Sequence, residues 1–174
     1  MIRIPLHEQH VTAHASGSLC FEVVASAGKV LEQRSDDEKV VEFVTERAGR
    51  RIRTVELLKL FPPDRIEYSW LEGPLPRVEE EIELKERGDE TLIAYRGAFW
   101  VRGPRGWIAG RTRIKHSFEA EVLEHLNQAK EISEARAART HIHRRSGRSG
   151  STETVRIYDE KFGPTGLQRR RPRR

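Results

Sequence analysis

Residues 91–118 read TLIAYRGAFWVRGPRGWIAGRTRIKHSF, and the spacing of the apolar side chains changes within this stretch. Up to Val101 the apolar residues alternate, as they do in a half-buried strand. Past Gly103-Pro104 the period becomes 3.6 and holds to about Arg139, which predicts one long amphipathic helix. A sheet followed by a helix that must cover it predicts a cupped sheet with a helix across its mouth, a shape that usually holds a ligand.

The same alternation runs back through most of the chain. Runs rich in β-branched and aromatic residues are separated by turns such as Pro62-Pro63-Asp64, which is typical of an antiparallel sheet. Ser16 or Ser18 offers an N-cap for one short helix after the first strand, and Gly28 would end it. Residues 1–9 are interpreted as an N-terminal arm. The α+β fold predicted is a curved antiparallel sheet of seven strands that grips the C-terminal helix; the strands are His10–His14, Lys29–Arg34, Glu38–Arg47, Arg51–Phe61, Arg65–Glu72, Arg77–Glu86 and Thr91–Val101.

Length and composition predict one cytoplasmic domain. The 174 residues suffice for a substantial hydrophobic core. The single cysteine, Cys20, rules out an internal disulfide framework, and no segment near the start resembles a signal peptide. The uncharged apolar runs are far shorter than the roughly 20 residues that a membrane-spanning helix needs.

Charge is distributed unevenly along the chain. The formal net charge is +5, yet residues 136–174 hold 12 Lys and Arg against 3 acidic residues, and the rest of the chain carries 20 basic and 24 acidic side chains. Residues 141–174 are therefore predicted to be a basic, disordered tail with little apolar content. Such a tail can contact phosphates of nucleic acid or anionic lipid weakly and without specificity.

Three stretches carry a resemblance to a known family. They are Val11-Thr12-Ala13-His14-Ala15-Ser16 before the short helix, Phe61-Pro62-Pro63-Asp64-Arg65-Ile66 at a turn, and Gly88-Asp89-Glu90-Thr91 before the last strand. With the order strand, short helix, six antiparallel strands and long helix, residues 10 to about 140 resemble the helix-grip fold of the START-like superfamily, also called SRPBCC or polyketide cyclase/dehydrase-like proteins.

The resemblance implies a hydrophobic cavity between the curved sheet and the long helix. Relatives use this cavity to bind lipids, polyketides, sterols, hormones or other apolar molecules, and a minority of them are enzymes. Many relatives have a second short helix after the first, whereas here residues 25–29 lead almost at once into a strand. The resemblance therefore implies a shortened rim around the cavity.

The inward phases of strands and helix supply the predicted ligand-binding residues. Glu80 falls on the apolar phase of its strand, and Arg111 falls on the apolar stripe of the helix. If the two pair, they either hold a polar ligand group or fix the position of the helix. The inward tyrosines can orient a ligand or simply complete a core. The predicted lining is Tyr68, Trp70, Glu80, Ile82, Tyr95, Phe99, Arg111, Ile114 and Phe118.

Two ionisable residues on apolar phases are candidates for catalysis. Burial of Glu80 would raise its pKa toward neutrality and suit a general acid or base, although pairing with a base or a strand bulge at the rim explains it as well. His125 is either a catalyst or a core histidine held by a backbone carbonyl. It lies on the predicted helix stripe, which comprises Trp107, Ile114, Phe118, Val122, Ala129 and Ile132.

No cofactor or metal ion is predicted. The chain has no phosphate-cradling glycine loop, no Gly-x-Ser-x-Gly elbow and no second cysteine for redox chemistry. The pairs His10 and His14, and His141 and His143, lack a cysteine or carboxylate at metal-ligand spacing.

Three functions remain open on the sequence alone. The first is binding of a hydrophobic small molecule, lipid or polyketide-like, between the sheet and the C-terminal helix. The second is a cyclase or dehydratase that acts on an apolar substrate with a carbonyl group. The third is an interaction protein whose arginine-rich tail binds nucleic acid or an anionic membrane.

Overall fold

The structure is a computed structural model that describes residues 1–47 and 50–146. The predicted basic tail, residues 141–174, lies outside the described residues from residue 147 onward. No helix within the described part of the chain is both long enough and apolar enough to cross a membrane.

The described residues form eight strands: β1 Ile2–Pro5, β2 Gln9–Ala13, β3 Lys29–Gln33, β4 Glu38–Arg47, β5 Arg50–Phe61, β6 Arg65–Glu72, β7 Arg77–Arg87 and β8 Glu90–Val101. They make one antiparallel sheet in the order β1-β8-β7-β6-β5-β4-β3, and β2 pairs with β8 alongside β1. From β3 to β8 each strand pairs with the next one in the sequence, as the alternating pattern predicted.

The prediction of seven strands was wrong by one, because β1 lies within the predicted arm of residues 1–9. Strand β1 is only four residues long and ends at Pro5, too short to display a period of two. Its pairing with the far end of β8 is long-range, and it buries Ile4, which is 3% exposed. Strand β1 is therefore stabilised by its pairing with β8, although its own sequence pattern does not predict a strand.

The helices are α1 Gly17–Ala25, α2 Gly103–Ala109 and α3 Lys115–Ser146, and a π-helical turn, Gly110–Ile114, joins α2 to α3. The predicted α+β class, with one short helix after a strand and a long C-terminal helix, is confirmed. Gly28 follows α1 with a φ of +77°, a conformation that favours glycine.

The π turn explains why the predicted start of the helix stripe was wrong. A π turn holds more residues than an α turn, so a phase counted at 100° per residue drifts across it. Trp107 and Arg111, which the count placed against the sheet, are both exposed. Gly106 and Gly110 take their place, because an added Cβ at Gly106 would lie 3.4 Å from Val101 Cβ and one at Gly110 would overlap the Ile4 side chain.

The buried stripe of α3 is rotated by one residue from the predicted one at two positions. His125 and Ile132 are exposed, whereas Leu126 and Ser133 next to them are buried. The prediction that His125 lies on the apolar stripe was therefore wrong. The residues of α3 that are buried or packed on the core are Phe118, Val122, Leu126, Ala129, Ser133 and Ala137.

Two hydrogen bonds from backbone N–H groups on either side of β2 hold α3 in place. The His7 N–H donates to Glu119 Oε1 at 2.8 Å, and the His14 N–H donates to Glu134 Oε1 at 3.0 Å. The two glutamates lie about four helical turns apart. Between Glu119 and Glu134 the helix is therefore held over the same face of the sheet that carries the core.

We expect Gly110→Ala to destabilise the protein by about 1–2 kcal/mol, although alanine is the better helix former, because its methyl group would overlap Ile4 and lie 3.3 Å from Val101 Cγ1. Gly106→Ala is the matched control, since its methyl group meets only an ordinary contact. Urea unfolding measures both variants. Equal stability of the two variants would contradict the close packing of α2 on β1 and β8.

Candidate functional site

The sheet aligns four polar or aromatic side chains on its inner face. In the register of the sheet, Tyr68 of β6 lies opposite Glu80 of β7, and Glu56 of β5 lies opposite Trp70 of β6. The pairing of β5 with β6 shifts beside Glu56, because Leu71 is an extra residue on β6. Alternation along each strand then places all four side chains on one face.

Glu80 is the centre of this group. The Tyr95 hydroxyl donates to Glu80 Oε1 at 2.8 Å, and the Trp70 indole Nε1–H donates to Glu80 Oε2 at 3.1 Å. Gly97 lies opposite Glu80 on β8, and a Cβ there would be 2.5 Å from the Tyr95 hydroxyl oxygen. The absence of a side chain at Gly97 therefore leaves the space in which Tyr95 reaches Glu80.

Aromatic rings enclose this polar centre from the side of α3. The Phe118 ring stacks on Trp70 with centroids 5.9 Å apart and on Phe99 with centroids 6.0 Å apart. Ile82 and Ile114 pack against the same core cluster. The predicted residues Tyr68, Trp70, Glu80, Ile82, Tyr95, Phe99, Ile114 and Phe118 thus lie between the inner face and the C-terminal helices.

Glu56 belongs to the site and was missed by the sequence analysis. It is 7% exposed and accepts a hydrogen bond from Thr54 Oγ1 at 2.7 Å. Along β5 it shares a phase with Ile52, Leu58 and Leu60. A carboxylate on an apolar phase was the signal that singled out Glu80, and the same signal was present at Glu56.

Burial shifts the pKa values of both glutamates upward. Desolvation raises the pKa of Glu80 to about 7, against the opposing effect of the hydrogen bonds from Tyr95 and Trp70. Desolvation and the nearby charge of Glu80 raise the pKa of Glu56 to about 8. The charge of Glu121 on α3 raises the pKa of both. At neutral pH Glu56 is therefore mostly protonated, whereas Glu80 is divided between its protonated and ionised forms.

The two phenols at the site stay protonated. Burial is the main cause that raises the pKa of Tyr68 and of Tyr95, and the charges of Glu56 and Glu80 add to it. Tyr95 is thus a hydrogen-bond donor to Glu80 at every physiological pH.

Solvent reaches part of the site. Trp70, Glu80 and Ile82 of the sheet and Ile114 and Phe118 of the C-terminal helices are partly exposed, whereas Tyr68 and Tyr95 are buried. The aromatic enclosure is therefore open to solvent in part, at Trp70 and Phe118. A protonated Glu80 can donate to a carbonyl oxygen, and an ionised one can accept a proton.

Two predicted site residues lie elsewhere. Arg111 is exposed, and its guanidinium lies 5.3 Å from the centre of the Trp107 ring. No ion pair between Arg111 and Glu80 forms within the described part of the chain. His125 is exposed on α3. Arg111 lies outside the site because the π turn changes the helical phase, and His125 does because the buried stripe of α3 is rotated by one residue at that position.

The outer face of the sheet carries a separate groove of about 580 Å³. Its wall is largely charged and includes Glu67, Glu79 and Arg96. Tyr68, Glu80 and Gly97 also contribute to the wall, so the sheet at this point divides the groove from the inner face. In residues 1–47 and 50–146, no group of three or more His, Cys, Asp or Glu side chains is arranged to hold a metal ion.

Sequence comparison gives no match for this chain. No family model matches it, and no curated protein matches it. Solved structures do match. The aromatase/cyclase Zhui from Streptomyces sp. R1128 superposes with a TM-score of 0.68 at 20% identity, over 78% of this chain and 96% of its own. A START superfamily protein from Mycobacterium smegmatis has a TM-score of 0.54 at 18% identity, over 79% of this chain and 99% of its own.

The di-domain ARO/CYC StfQ from the steffimycin biosynthetic pathway also matches, with a TM-score of 0.68 at 15% identity. The match covers 78% of this chain and 52% of StfQ, so the chain spans about half the length of that protein. These likenesses confirm the fold that the sequence resemblance implied. The chain has the helix-grip fold of the START-like, or SRPBCC, proteins.

Proposed function

We propose that the protein binds an apolar small molecule, lipid or polyketide-like, between the inner face of the sheet and α3. The observation that carries the proposal is Glu80, whose carboxyl group is held by Tyr95 and Trp70 beside the partly exposed rings of Trp70 and Phe118. The helix-grip neighbours support it, because they include aromatase/cyclases and a START superfamily protein.

The side chains at the site indicate what the ligand carries. Trp70 and Phe118, which are partly exposed, offer ring faces and edges for an apolar body, and the fully buried Phe99 packs against Phe118. Glu80 offers one polar anchor at the floor, and at neutral pH a protonated carboxyl there can donate to a carbonyl or ether oxygen. A flat apolar molecule with a single oxygen at one end fits this arrangement.

We expect Phe118→Ala to weaken binding of the neutral fluorescent probe N-phenyl-1-naphthylamine about tenfold, because the variant removes the ring that stacks on Trp70 and Phe99. Leu123→Ala on the same helix is the matched control, since Leu123 is 45% exposed and should leave the affinity unchanged. Fluorescence titration measures the dissociation constants. Phe118→Leu, which retains bulk, should lie between the wild type and Phe118→Ala.

Equal affinity of all four proteins would contradict the proposed site. Thermal unfolding of each variant establishes that a weakened affinity is not a loss of the folded state.

The second candidate function is a cyclase or dehydratase that acts on an apolar carbonyl compound. It is favoured by one observation, the pair of carboxyls whose pKa values are raised to about 7 and about 8. Groups that titrate near the working pH are the most effective general acids and bases. An ionised Glu80 would remove a proton next to the carbonyl group, and a protonated carboxyl would return one.

Proton exchange tests this activity without a known product. In heavy water, we expect the protein to accelerate deuterium incorporation into the methyl group of 2-acetylnaphthalene, and we expect Glu80→Gln to abolish the acceleration. The NMR signal of the methyl group measures the rate. A rate equal to that of buffer, together with tight probe binding, would leave a binding protein rather than an enzyme.

The basic tail remains a separate prediction. Contact of residues 141–174 with nucleic acid or anionic lipid falls on a segment that lies mostly outside the described residues.

A further inference from the structure

Helix α2 and the start of the π turn pack closely against one end of the sheet through Gly106 and Gly110. Gly106 and Gly110 are one turn apart and face Val101 of β8 and Ile4 of β1, where no larger side chain is placed. The approach of the backbone fixes the orientation of α2 about its axis. The side chains on its other face therefore point away from the sheet.

That outward face combines large apolar and basic side chains. Trp107 is 40% exposed and Ile108 is 59% exposed. Four exposed arginines lie within six residues of them in the sequence, and no acidic residue occurs between Glu90 and Glu119. We call this set the α2 surface: Arg102, Arg105, Trp107, Ile108, Arg111 and Arg113.

The arginines of the α2 surface form no ion pairs within the described part of the fold, in contrast to Arg53 and Arg96, which bind glutamates. The guanidinium of Arg111 instead lies over the ring of Trp107, 5.3 Å from its centre. The surface thus presents unneutralised positive charge beside exposed apolar groups.

We propose that the α2 surface docks on an anionic membrane. Trp107 and Ile108 would enter the interface between headgroups and acyl chains, and the arginines would contact lipid phosphates, which is the arrangement of interfacial membrane-binding helices. Nucleic acid would satisfy the arginines but offers no apolar phase for Ile108, the most exposed large apolar residue in the described part of the chain apart from Met1. The observations therefore favour lipid.

Vesicle binding of the full chain tests the proposal, with vesicles of phosphatidylcholine alone and vesicles in which about one quarter of the lipid is phosphatidylserine. We expect binding only to the second kind. Arg105→Gln with Arg111→Gln should weaken it about thirtyfold, since each arginine near the surface adds about one kcal/mol of attraction. Arg51→Gln with Arg87→Gln is the matched control: both arginines are exposed, and the net charge and the basic tail are the same in the two variants.

A second readout reports on Trp107 itself. Lipids brominated on the acyl chain should quench its fluorescence in the wild type and much less in Trp107→Phe, because Trp70 and Trp100 are only partly exposed and lie on strands of the sheet, outside the α2 surface. If both double arginine variants bound vesicles equally weakly and no quenching depended on Trp107, the proposal would be overturned. Such a result would indicate that the basic tail binds the membrane. Binding to duplex RNA through Arg105 and Arg111 without vesicle binding would also overturn the proposal.

Discussion

We expect Gly97→Ala to destabilise the protein by about 2–4 kcal/mol and to detach Tyr95 from Glu80. The added methyl group would lie 2.5 Å from the Tyr95 hydroxyl oxygen and 3.3 Å from the Glu79 carbonyl oxygen, so the buried ring must move. Overpacking in a core costs about 1–3 kcal/mol and loss of a hydrogen bond about 0.5–1.5 kcal/mol, so the two effects together amount to about 3 kcal/mol. Urea unfolding measures the change.

A double-mutant cycle tests whether the Tyr95 hydroxyl is responsible for this cost. In a Tyr95→Phe background the hydroxyl that collides with the new methyl group is gone, so Gly97→Ala should cost clearly less there than in the wild type. An equal cost in both backgrounds would mean that Gly97 does not make room for the Tyr95 hydroxyl. Gly106→Ala, with its ordinary contact to Val101, controls for the general effect of replacing glycine.

We expect Glu56→Gln to stabilise the protein at high pH and to leave its stability unchanged at low pH. Folding raises the pKa of Glu56 from 4.5 to about 8, so the folded state holds the proton more tightly than the unfolded state. The resulting stability is fully present below about pH 4.5 and is lost as the pH rises through about 8. At pH 9 the glutamine variant should therefore be more stable than the wild type by at least about 1 kcal/mol. Near pH 4 the difference should vanish.

Unfolding midpoints across this pH range measure the effect. Glu124→Gln on the exposed side of α3 is the matched control and should leave the pH profile of the wild type unchanged. Glu80→Gln should flatten the profile as well, since burial also raises the pKa of Glu80. A Glu56→Gln protein that loses stability with pH as steeply as the wild type would show that Glu56 is not protonated in the fold.

Much of the fold could be predicted because period and turn chemistry are local. Alternation along β6 placed Tyr68 and Trp70 on one face, and alternation along β7 placed Glu80 on the apolar phase. Strand register then brings these residues together, since Tyr68 lies opposite Glu80. The hydrogen bond from Tyr95 follows from the next register pair, Gly97 opposite Glu80.

The features that could not be predicted from the sequence depend on how one element joins or packs against another. The π turn at Gly110–Ile114 changes the helical phase, and no residue pattern predicts it. Trp107 and Arg111 were therefore wrongly placed on the side of the helix that faces the sheet. Strand β1 forms only because β8 offers an edge. Glu56 is different, because its position on an apolar phase was visible and was passed over.

The central claim is that an apolar molecule binds beside Glu80, and the indole N–H of Trp70 reports on it most directly. The chain has three tryptophans, so a proton–nitrogen NMR spectrum resolves three indole signals, which Trp100→Phe and Trp107→Phe assign. Addition of N-phenyl-1-naphthylamine should shift the Trp70 signal, because Trp70 donates to Glu80 and stacks on Phe118. An unchanged Trp70 signal under conditions in which the probe is bound would contradict the account.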